Sequence, residues 1–155
     1  MANFRFQSDL KLFPKHAEAL GIIVDTCSTI EKVCCEIVAG LLGVSDDKAE
    51  AVIYSLQNSR ARFDITRALA EKFAPKQIRQ KLIDELDTAR KLVARRNDLT
   101  HGMWISRRDK PHIHHVKKST RSKERVVSIR EMNLLLSALE TCLNDLVSLS
   151  IDLRA

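Results

Sequence analysis

The sequence predicts an all-α fold, an up-and-down bundle of four to five helices with a basic β-hairpin or loop inserted before the last helix. Three observations point there. Only four Gly and three Pro occur among 155 residues, too few for the many turns of an all-β protein. Apolar residues recur at intervals of three and four along most of the chain, the period of a helix with one buried face. That period is lost once, at about 103–128, and most of the basic charge lies there. The length fits a single domain, 1–155, and such a domain buries roughly two-thirds of the surface its unfolded chain exposes.

The first helix is expected from Lys15 to Leu42, with Leu20, Ile23, Val24, Cys27, Ile30, Cys34, Ile37, Val38 and Leu41 on its apolar face and Gly43 ending it. Ser45 is placed to cap a second helix, with Asp46 and Asp47 favourable in its first turn. That helix passes Val52, Ile53 and Leu56, breaks near Asn58 and Ser59, and resumes through Phe63, Ala68 and Leu69 to Phe73. Pro75 suits the first turn of the next helix, where a missing N–H costs nothing. Ile78, Leu82, Leu86, Ala89 and Val93 make one face of that helix. Beyond Gly102, the segments Met103–Ser106, His112–Val116 and Arg125–Ile129 read as short β-prone pieces, separated by Asp109-Lys110-Pro111 and by Ser119–Lys123. Ser128-Ile129-Arg130-Glu131 has capping-box spacing and opens the last helix, whose apolar stripe is Leu135, Ala138, Leu139, Cys142, Leu146 and Leu149. Short connections imply that successive helices run antiparallel.

Cys27, Cys34, Cys35 and Cys142 form no CxxC pair and have no histidine nearby in sequence, so they read as buried reduced thiols. No uninterrupted apolar run approaches the roughly 20 residues of a membrane span, and the first residues, MANFRFQSDLKLF, lack a leader's apolar core. The expectation is a cytoplasmic protein with no membrane partner. Between Ile105 and Arg130 nine basic residues stand against Asp109 and Glu124, so the whole net charge of +6 is contributed by this segment. It also carries His112, His114 and His115. A polyanion is the matching partner, against the plainer reading of a solvated charged loop. His112 and His114 alternate onto one strand face, but no carboxylate or Cys accompanies them at ligand spacing, and no metal site is expected. Trp104 is read either as a stacking platform for a base or as packing against the bundle, and Tyr54 as core or interface. No phosphate-cradling glycine loop or Ser/His/Asp arrangement is present.

The stretch RRNDLTHG, Arg95–Gly102, closes the penultimate helix. Histidine near neutral pKa moves protons at a 2′-OH and a leaving 5′-oxygen, and arginine offers a planar fork to the charge building on phosphate. The same residues also suit a plain helix exit, since arginines there oppose the macrodipole. R-N-D-L-T-H, with Arg96, Asn97 directly after it and His101 five residues on, resembles the signature of the HEPN superfamily (higher eukaryotes and prokaryotes nucleotide-binding domain). The resemblance extends from about Lys15 to the end. The bare spacing recurs at Arg107 and His112, but there it contains Pro111 and lacks a helical period.

The resemblance implies a metal-independent endoribonuclease whose pocket is completed across a two-fold homodimer, with Arg96 and His101 catalytic. Its products would carry a 2′,3′-cyclic phosphate and a 5′-OH. Asn97 would orient the pocket or hold phosphate, and Arg95 would be an auxiliary cation. Trp104, Arg107, Arg108, Lys117 and Lys118 would face the RNA. No cofactor is implied. A toxin of a toxin-antitoxin or phage-defence pair, with an antitoxin protein as partner, is the setting in view. The rival is a non-catalytic HEPN-like module that binds nucleic acid or a protein through the same basic surface.

Overall fold

The computed structural model describes residues 8–115 and 123–154, which form five α-helices and one three-stranded antiparallel sheet. A single turn of 3-10 helix, Asp9–Leu12, leads into α1 (Pro14–Leu42), followed by α2 (Asp46–Tyr54), α3 (Ser59–Phe73) and α4 (Lys76–Thr100). The strands β1 (Met103–Arg107), β2 (Lys110–His115) and β3 (Lys123–Val126) then precede α5 (Ile129–Asp152). The sheet is the main departure from a hairpin. Its third strand begins before the expected Arg125 and ends before Ile129, because Ser128 is needed as the α5 cap.

Local chemistry explains the helix ends. Gly43 stops α1 at φ 62°, a left-handed conformation that suits glycine. Asn58 caps α3 by accepting the Ala61 N–H at 2.9 Å. Ser45 occupies the cap position of α2 without a side-chain bond, and Pro75 sits at the cap of α4 rather than inside its first turn. Only half of the capping box forms: Ser128 Oγ accepts the Glu131 N–H at 3.1 Å, while the Glu131 carboxylate turns to Arg125 at 2.8 Å.

Successive helices alternate in direction, yet packed neighbours need not. Glu31 of α1 meets Arg62 of α3, and further along both helices Val38 packs near Ile65 and Leu69, so these two run parallel. Likewise α5 runs beside α1 from the His16–Val127 contact at 3.1 Å to Arg154, which donates to the Glu36 carbonyl at 3.1 Å. The returning helix α4 passes Glu31 with Arg96 and reaches the Leu20–Val24 region at Thr100. Its buried face, Leu82, Leu86, Ala89 and Val93, meets Leu135, Leu139, Cys142 and Leu146 of α5 in one core.

Mean hydropathy picks out one helix that a count of uninterrupted runs does not. Among the described residues α5 is long and apolar enough to cross a membrane by length and composition. Uncharged Asn133, Ser137, Thr141, Asn144 and Ser148, together with Glu140 and Asp145, break its apolar residues into short runs, which hides this from a run count. Its Met132–Leu149 stripe is packed in the core.

The sheet covers the end of the bundle where α1 begins and α4 stops. Trp104 is 4% exposed and donates from Nε1 to the Leu99 carbonyl at 3.0 Å, with its ring edge-on to His16. Arg108 and Asp109 both have positive φ, 51° and 56°, and make a two-residue turn between Arg107 and Lys110. Neither is glycine, so the turn is held by the strands it joins. Pro111 lies opposite Ser106, at a pair whose N–H groups point away from each other, so its missing proton breaks no rung between β1 and β2. The Ser106 N–H is used instead by Asp9 Oδ2 at 2.8 Å, which covers the β1 edge.

All four cysteines are buried and free. Burial raises the Cys27 thiol, with Arg96 drawing it back, and raises Cys34 further. Cys142 is pushed up to about 12 by burial and by the Glu85 charge. The thiolate is the reactive form. Native protein at pH 8 is therefore expected to resist a colorimetric thiol reagent over minutes, and urea-unfolded protein to react at all four. Rapid labelling of any thiol in the native state would contradict the burial.

Candidate functional site

The candidate motif lies on the last turns of α4, and its side chains part company there. Arg96 turns inward. Its Nη2 stands 3.5 Å from Glu31 Oε1 on α1, Cys27 lies alongside, and its buried Nε has no hydrogen-bond partner. His101 occupies the C-cap with φ −96°, where its N–H donates to the Asn97 carbonyl, and its exposed imidazole has no partner among the described residues. Asn97 faces a cleft of 340 Å³ between α3 and α4, shared with Ser59, Arg60, Phe63, Arg90 and Lys91. Arg95 points elsewhere, into a small recess with Asp98, Arg125 and Glu131. No hydrogen bond or cavity lining joins Arg96 to His101 within the chain, as their offset of about 140° around a helix implies.

Sequence reading missed the residue that organises Arg96. Glu31 is 7% exposed and collects three partners from two helices. Arg62 forms a very close ion pair with Oε2, and the Ser59 hydroxyl donates to Oε1 at 2.6 Å. Arg62 is anchored further by Nε and Nη2 bonds to the Leu56 carbonyl and by stacking over Tyr54 at 4.8 Å. Tyr54 is thus 46% exposed and holds an arginine, rather than lying in the core. One signal was available: Glu31 is a carboxylate amid the apolar stripe of α1, flanked by Ile30 and Val33.

A different convergence occurs on the outer face of the sheet. Arg107 Nη1 lies 3.1 Å from both Glu124 oxygens, and His112 Nδ1 lies 2.9 Å from Oε1. The Arg107 hydrogen bond holds the Glu124 carboxyl below its ordinary range, and His112 and His114 add to that. The same spacing that leaves Arg96 and His101 apart on a helix brings Arg107 and His112 together across a hairpin, with a carboxylate from a third strand. Glu124 is the acidic companion that the sequence spacing did not supply to His112. Among the described residues, no group of three His, Cys, Asp or Glu side chains is arranged to hold a metal ion.

A shallow cavity of 380 Å³ beside this cluster is lined by Arg107, Arg108, Lys110, His112 and Val126. Arg107 and Arg108 line this cavity, whereas the Trp104 ring packs in the core, the second of its two expected places, and offers no face to a base. Lys117 and Lys118 lie outside the described residues.

A separate, apolar groove of 540 Å³ runs between Leu20, Gly21 and Val24 of α1 and Thr100, Gly102 and Met103 at the α4–β1 junction. No family model, curated protein or solved structure matches this chain.

Proposed function

We propose that the protein is a metal-independent endoribonuclease of HEPN type, in which Arg96 and His101 from two copies of the chain complete each pocket. The observation that carries this reading is the state of the two side chains. Among the described residues the exposed His101 imidazole has no partner, and Arg96 keeps one buried donor without one. A free imidazole can move the 2′-OH proton, and a cation with donors to spare can take the charge that develops on the phosphate. Asn97, next to Arg96 in sequence and without a side-chain partner among the described residues, adds an amide in the α3–α4 cleft that Ser59 also lines. The setting proposed is the toxin of a toxin-antitoxin or phage-defence pair.

A specific observation favours a second reading, in which the chain binds RNA without cutting it. The cavity at Arg107, Arg108, Lys110 and His112 presents cations on a sheet face away from the core, a surface suited to backbone phosphates.

Cleavage of labelled mixed-sequence RNA in EDTA separates the two. His101→Ala and Arg96→Ala are each expected to lose about 10²-fold or more in rate, with helicity and oligomeric state unchanged. Folding should survive Arg96→Ala because Glu31 retains Arg62 and Ser59. A wild type as inert as both variants across substrates would remove the support for catalysis and leave the binding reading.

A further inference from the structure

Inside the bundle two guanidinium groups face one carboxylate, and they do not share it equally. Glu31 Oε2 is taken by Arg62, and Oε1 accepts the Ser59 hydroxyl at 2.6 Å. Arg96 reaches Oε1 only at 3.5 Å, at the outer limit of a hydrogen bond, and among the described residues its Nε has no hydrogen-bond partner, with the Cys27 thiol alongside the guanidinium. The Leu56 carbonyl and the Tyr54 ring hold Arg62 in place from the other side. Its hold on Glu31 therefore does not depend on where Arg96 lies. Two positive charges and one negative leave the cluster at +1. A largely buried cation with unfilled donors is costly unless an acceptor arrives.

We propose that Arg62 and Ser59 are positioning residues: each bonds one oxygen of Glu31, and together they pin the carboxylate 3.5 Å from Arg96, which keeps Arg96 open for an incoming phosphate group. Without either of them the carboxylate is free to move, and Arg96 closes on it as a tight pair. An arginine already paired in this way has less charge and fewer donors to offer an anion. Glu31 then competes weakly for Arg96 while Arg62 and Ser59 hold it, and strongly when they do not. For a scissile phosphodiester this inference rests on the ribonuclease reading; for phosphate as such it does not.

The test is titration of the full chain with inorganic phosphate, followed through the Arg96 side-chain NMR signal, assigned with Arg96→Lys. Wild type is expected to give a saturable shift. Ser59→Ala and Arg62→Gln are each expected to weaken phosphate binding by about tenfold or more, as Arg96 closes on Glu31. Glu31→Gln is expected to move the other way, with affinity equal to or above wild type, because the competing charge is gone. A merely structural cluster would not reverse sign in this way.

The inference is overturned if wild type shows no response at Arg96, if Ser59→Ala binds like wild type, or if Glu31→Gln weakens binding as the others do. Near-UV dichroism from Trp104 reports whether each variant is folded. Ser59→Ala removes one hydroxyl, so it decides the matter if Arg62→Gln does not fold. The phosphate pattern without RNA cleavage would sustain the inference and sink the ribonuclease reading. Cleavage without the pattern would do the opposite.

Discussion

Glu31→Ala is expected to lower the unfolding free energy by about 3–5 kcal/mol, the usual cost of removing one partner from a buried ion cluster. The Glu31 side chain is 9% exposed, and its two arginine partners' side chains are 18% and 17% exposed. Without it, Arg62 and Arg96 would face each other across the interior with no counter-charge, and Ser59 would lose its acceptor. Marginal stability of about 5–15 kcal/mol makes such a loss plain in a urea titration. Because the groups are shielded from solvent, added salt should recover little of it. Glu18→Ala, an exposed glutamate on the same helix, should change stability by no more than about 0.5 kcal/mol. A loss below about 1 kcal/mol for Glu31→Ala would mean that the cluster is solvated like a surface pair, and the argument for an open Arg96 would fall with it.

Gly102→Ala is expected to cost about 3 kcal/mol, at the upper end for overpacking, although it adds a single methyl. A Cβ at Gly102 would stand 2.1 Å from Ile113 Cγ2, with His115 Cε1 at 3.0 Å. Ile113 is fully buried on the central strand, opposite Trp104, so it cannot swing aside. The strand must move, and the Trp104–Leu99 hydrogen bond moves with it. The near-UV signal of the only Trp should therefore change together with the urea midpoint. Ile113→Ala in the Gly102→Ala background should cost less than the two single losses added, since it clears the space the new methyl needs. Strict additivity would show that Gly102 matters for some reason other than this contact. Gly102 is thus explained by close approach, in contrast to Gly43, whose backbone is left-handed.

Much of the helical frame was legible in the sequence. Gly43, Asn58 and Ser128 act within a few residues of themselves, and the three-and-four spacing of Leu82, Leu86, Ala89 and Val93 states which face of α4 is buried. The sheet was legible in part. Its β-prone pieces were visible, but the third strand starts early because Lys123–Val126 pairs in register with His112–His115, and pairing is not a local property. Pro111 read as a breaker because its place opposite Ser106 depends on the turn at Arg108 and Asp109.

The candidate site divides along the same line. Residue types and spacing alone established a frame of four to five helices, a basic excursion before the last of them, and an Arg-Asn-x-x-x-His stretch closing the penultimate one, since each is a pattern within one segment. Only the packed molecule decided which of those charges are spent. Arg96 meets a carboxylate 65 positions away, and that carboxylate is claimed first by partners 28 and 31 positions away. Trp104 went to the core, and Arg107 and His112 met through Glu124. A helical period reports which side of a segment is apolar, but the partner of a buried charge is chosen by which helices lie side by side, and that is settled only when the core closes.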